Sequence, residues 1–78
     1  IAYHKSRVIF MISYEPFWAT LKRKKITTYM LREKYHISPN TLTRMKSNKY
    51  LSMRTMEDFC RILDCRLEDI AEYVPDRK

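Results

Sequence analysis

Between Asn40 and Lys46 the chain carries an amide, two hydroxyls, a guanidinium and an ammonium, at Asn40, Thr41, Thr43, Arg44 and Lys46. An asparagine amide presents a donor and an acceptor side by side, which matches the N6 and N7 edge of adenine. A guanidinium presents paired donors, which match O6 and N7 of guanine. The threonines offer hydroxyls to bases or phosphates and methyls to thymine. Each good bidentate pair discriminates by about 1–3 kcal/mol against the wrong base. Pro39, just before this set, can make only apolar or shape contacts. Pro39, Asn40, Thr41, Thr43 and Arg44 are therefore the candidate base contacts, provided one helix presents them outward.

Other chemistries find little here. His4 and His36 are the only histidines. No Ser/His/Asp grouping, paired acidic site or phosphate-cradling glycine loop is evident, so no enzyme is expected. Glu68, Asp69 and Glu72 lack a metal-loop spacing and read as solvated acids. Cys60 and Cys65 lie five apart with no second pair and no suitably spaced histidines, which argues against a zinc site and a disulfide framework. They read as small apolar residues in a reducing cytoplasm. No cofactor or small-molecule ligand is indicated.

Charge agrees with a polyanionic partner. The chain has 78 residues and a net charge of +7. Residues 1–50 hold eleven Lys/Arg against two Asp/Glu, whereas residues 51–78 hold five against seven. A basic front and a mildly acidic back point one side of the molecule at nucleic acid. The length predicts one small domain. No apolar run is long enough to span a membrane, and the first ten residues lack a secretory apolar segment.

The elements that must position these residues are short. Pro16 suits the first turn of a helix from Glu15 to Lys24, with Tyr14, Phe17, Trp18 and Leu21 on one face. Thr27 caps a second helix, Thr28 to Lys34, whose Leu31 and Tyr35 face inward. His36 and Ile37 form a turn. Ser38-Pro39 is a specific start for a third helix running to Lys46, with Leu42 and Met45 as its apolar side. Ser52 caps a fourth, Met53 to Leu63, with Met53, Met56, Phe59, Cys60 and Leu63 at the 3.6 period. A fifth short helix is expected from Leu67 to Ala71. The tail through Pro75 reads as extended. Residues 3–14 alternate around Val8, Phe10, Ile12 and Tyr14 as a strand does, one that could pair with that tail or with another chain. Met11 could equally be a natural start, leaving the preceding residues as an extension. The division expected is 1–12 as extension or strand and 13–76 as the domain.

Phosphate contacts should flank the third helix. Thr28 offers a hydroxyl and a backbone N–H at the start of the second helix. Tyr29, Arg32 and Ser38 lie nearby, and Lys46, Asn48 and Lys49 stand at the far end. The run Lys22–Lys25 reads as a solvated charge run.

Over residues 13–74 the pattern resembles the phage repressor/Cro-like (XRE family) helix-turn-helix domains. The resemblance rests on Leu31, Tyr35, Ile37, Leu42 and Met45, on the Ile37-Ser38 helix start, and on LDC followed by LEDI and EYVPD. It departs at two positions. His36 stands where the family's turn often has glycine, and Arg32 where a small residue usually packs. The resemblance implies an all-α, compact five-helix, lambda-repressor-like fold. It also implies a repressor that occupies double-stranded operator DNA, expected as a homodimer in the cytoplasm. Candidate dimer surfaces are the N-terminal strand with the EYV tail and the region of the last two helices. The alternative is an antitoxin- or antirepressor-like protein-interaction module using the same fold. RNA binding would need exposed stacking aromatics.

Overall fold

Three helices start on hydroxyl caps that the sequence supplies. In a computed structural model, which describes residues 11–75, the order is β1 (Met11–Ser13), α1 (Glu15–Lys24), α2 (Thr28–Glu33), α3 (Pro39–Lys46), α4 (Met53–Leu63), a 3₁₀ turn (Leu67–Asp69) and β2 (Glu72–Val74). The Thr27, Ser38 and Ser52 hydroxyls accept from the N–H groups of Met30, Asn40 and Thr55. Each satisfies an N–H that has no partner within its own helix. Helix α1 has no such side-chain cap at Tyr14. There the buried Ser13 hydroxyl accepts from the Glu15 N–H instead.

Two expectations of the all-α, five-helix reading are corrected. The described residues hold four α-helices and a two-stranded antiparallel sheet. The segment expected as a helix from Leu67 to Ala71 is only the 3₁₀ turn, because its polar groups are taken by partners both beside it and on α1. The Asp69 carboxylate accepts from the Arg66 N–H, and its carbonyl accepts from the Thr20 hydroxyl at 2.8 Å. The N–H groups of Ile70 and Ala71 both return to the Leu67 carbonyl, and strand β2 then begins. It pairs with β1 in the register Met11↔Val74, Ile12↔Tyr73 and Ser13↔Glu72, so the extended tail does meet the early strand. The expected strand residues before Met11 lie outside the described residues.

The core gathers Tyr14, Phe17 and Leu21 with Leu31, Leu42, Met45, Met56, Phe59, Leu63 and Ile70. Phe17 and Phe59 join α1 to α4 edge to face, with ring centroids 4.9 Å apart. Trp18 is only half-buried, with its ring 4.8 Å from Phe17. Met53 keeps its place in the helical period but is exposed. It is the first residue of α4, beyond the packed layer. Cys60 and Cys65 are free thiols half-buried against the core. Burial pushes the Cys65 thiol up, with Cys60 adding to the shift.

A chain without glycine must end its helices on residues that carry a Cβ. Lys25, His36, Asn48 and Asp64 all have φ between 53° and 59°. Lys25 and Asp64 close α1 and α4, where the N–H of the next residue bonds back to Leu21 and Cys60. Asn48 follows α3 in the same way, with the Lys49 N–H on the Arg44 carbonyl. Histidine, asparagine and aspartate tolerate this region best, which leaves Lys25 the most costly of the four. Replacing Lys25 with glycine should therefore stabilise the fold by about 0.5–1 kcal/mol, after the larger chain entropy of unfolded glycine is offset. Urea unfolding should show a higher midpoint at unchanged slope. A midpoint that fell would show that strain at this position is negligible.

Candidate nucleic-acid interface

Helix α3 turns Leu42 and Met45 into the core and leaves Pro39, Asn40, Thr43 and Lys46 exposed. Thr41 is half-buried. Ser38 spends its oxygen lone pair on the Asn40 N–H at 3.1 Å, and its own O–H still has a proton to donate. The outward N-terminal face of α3 is thus short-chained, polar and fixed at its start. Such a face suits entry into a groove.

Helix α2 precedes it through a turn at His36, where φ is 59°. The Ile37 N–H bonds the Leu31 carbonyl at 2.9 Å across that turn. The expected left-handed histidine is therefore present, and the turn closes without glycine. Arg32 is half-buried, and its guanidinium lies 5.8 Å from the centroid of the exposed Tyr29 ring. The guanidinium head stands over the aromatic face. Thr28 stands half-buried at the first position of α2.

The loop after α3 is held more tightly than its composition suggests. One guanidinium nitrogen of Arg44 donates to the Tyr50 carbonyl at 2.7 Å. Asn48 Oδ1 accepts from the Tyr14 N–H at 3.2 Å. The Tyr14 hydroxyl donates to the Lys49 carbonyl at 2.8 Å. These bonds fix residues 48–50 against α1 and α3, and the exposed Lys46 and Lys49 flank them. The bond from the Tyr14 N–H uses the Asn48 amide oxygen and not its N–H groups. Arg44, expected to point at a base, is half-buried with one donor committed to the loop. Its fork has further donors, so it can hold the loop and still present N–H groups outward.

Tyr14 was read from the sequence only as an apolar position. Its hydroxyl partner lies 35 residues away, and no local pattern announces such a bond. Burial pushes the Tyr14 phenol above its ordinary value of 10.0, opposed by the Arg44 charge and a Leu51 backbone hydrogen bond. A phenol with a raised folded pKa stabilises the fold below pH about 10 and loses that contribution as pH rises through the folded value. Tyr14→Phe should cost about 1 kcal/mol near neutrality and flatten the alkaline fall in stability. Thermal melts of both proteins across pH 7–11 (roughly the phenol's titration range) would test this. Parallel wild-type and variant curves would refute it.

Two helices joined by a short turn, the second presenting a polar face beside a fastened basic loop, define a helix-turn-helix domain. The sequence matches the family of the Cro/C1-type HTH DNA-binding domain over residues 17–76, and the chain belongs to that family. Among solved structures, it is similar to the crystal structure of the transcriptional regulator VanUg, form II. The TM-score is 0.77 at 24% identity, covering 92% of this chain and 100% of the other, which shows a shared fold. A search of the curated proteins finds no match. No described helix is long and apolar enough to cross a membrane.

Proposed function

We propose that this domain is a sequence-specific regulator of transcription that reads the DNA major groove with α3 and represses by occupying its operator. The observation that carries this reading is the exposed polar face of α3, opposite the buried Leu42 and Met45 and capped at its start by Ser38. Pro39, Asn40, Thr41, Thr43 and Arg44 are the base contacts in this reading. Thr28, Tyr29, Arg32, Ser38, Lys46, Asn48 and Lys49 hold the phosphates on either side. The domain acts as a cytoplasmic homodimer. One α3 reads few base pairs, and two copies on a two-fold site double them, with half-sites about one helical turn apart.

Selection from random duplexes tests binding, spacing and symmetry together. The expected product is an enriched motif with two related halves. Recovery of no motif would remove specific readout. A second reading, a protein-interaction module, draws on the exposed Tyr50 and Met53 side chains. Failure to bind any duplex at low salt would select it.

A further inference from the structure

The end of α4 is built so that two cysteines meet. Asp64, just past the last helical residue, has φ 53° and ψ 58°, which turns the chain back on itself. The Cys60 carbonyl then accepts from the N–H groups of both Asp64 and Cys65, the latter at 3.1 Å. This kind of helix stop sets the side chain at 65 against the side chain at 60, and an apolar pair commonly fills the two positions. Here both are free thiols, half-buried against the core. The two hydrogen-bond to one another.

We infer that Cys60 and Cys65 form a binding site for a soft monovalent metal ion, copper(I), held between two thiolates. Donor number decides the metal. Zinc in a structural site takes four ligands. Among the described residues, no group of three or more His, Cys, Asp or Glu is placed to hold an ion. Copper(I) has a filled d shell, selects thiolate sulfur and is satisfied by two such donors in line. Calcium and magnesium take oxygen ligands instead.

Binding exchanges protons for the ion, with no change of oxidation state. Each thiol loses its proton, each sulfur gives an electron pair to copper, and the product is a bis-thiolate complex carrying one negative charge. Burial raises the Cys65 thiol, as do Cys60 and Asp69, whereas the Lys24 ammonium lowers it. Lys24 is thus close enough to favour the charged complex, with Asp69 opposing. The apolar packing around both sulfurs limits the access of water to the ion, and their partial exposure leaves the ion a way in. Neither cysteine is among the proposed DNA contacts, so the site stands apart from that reading.

Titration of the full chain, reduced and kept from oxygen, against copper(I) held by bicinchoninate tests the site. Each chain should take one ion and bleach the chelator's colour in proportion, and a thiolate-to-copper charge-transfer band should rise in the ultraviolet. Cys60→Ser and Cys65→Ser should each lose this uptake. Cys60→Ala and Cys65→Ala keep an apolar contact where a serine disturbs the fold, and they should lose the uptake equally. Affinity should climb with pH, because both thiols release their protons to the solvent when the ion binds. Zinc(II), offered from a chromophoric chelator of its own, should stay with the chelator. Wild type that leaves copper(I) with bicinchoninate overturns the inference. So does uptake that survives the loss of either thiol, which would assign the ion to the methionines or histidines of the chain, and so does zinc bound as firmly as copper.

Discussion

Phe59→Ala is expected to remove about 3–5 kcal/mol of stability and to lower the melting temperature by about 15–30 °C. Phe59 is fully buried, and its ring meets Phe17 edge to face, joining α4 to α1. Truncation loses the transfer free energy of the ring, leaves a cavity and ends an aromatic contact worth about 0.5–1.5 kcal/mol beyond its area. A chain of this size is stable by only about 4–12 kcal/mol, so much of the fold's margin rests on this one side chain. Met53→Ala is the control. It occupies the same helix and the same apolar period, but it is exposed. Its loss should cost under about 0.5 kcal/mol. Melts followed by circular dichroism decide the matter, and equal losses for the two variants would contradict the burial that separates them.

That contrast shows what the sequence could and could not say. The helix starts were legible because Thr27, Ser38-Pro39 and Ser52 act within a turn of themselves. The left-handed turn at His36 was legible through the family resemblance, which sets His36 where glycine is usual. The positive φ at Lys25, Asn48 and Asp64 was less so. Absence of glycine was the available signal, since some other residue had to take each helix end. Met53 and Phe59 look alike in a periodic pattern. Only the neighbouring elements decide that one ends in the core and the other on the surface. The fifth helix failed because the bond from the Thr20 hydroxyl to the Asp69 carbonyl spans 49 residues. The candidate base and phosphate contacts followed from residue type and helical position. The loop that presents some of them depends on Tyr14, 34 and 35 residues distant from its partners.

Raising salt from about 50 to about 200 mM should lower the affinity for the selected duplex by about 10⁴-fold. The expectation comes from counting phosphates. Each copy offers Lys46, Lys49, Arg32 and the Thr28 N-terminal site, which gives about eight contacts for a two-fold pair. Each contact adds about −0.9 to the slope of log affinity against log salt, so the slope should be near −7. Lys49→Ala should weaken selected and random duplexes alike and reduce the slope by about 1 per copy. Asn40→Ala should leave the slope unchanged and relax preference at one base pair per half-site, by about 1–3 kcal/mol. Arg44→Ala is a different case, because Arg44 also holds the Tyr50 carbonyl. Its loss should lower affinity for every duplex through the loosened loop, on top of any base it reads. Titrations of each variant at several salt concentrations separate the three roles. A slope near zero for wild type would remove the phosphate contacts from Lys46 and Lys49, and with them the docking of α3 in the groove.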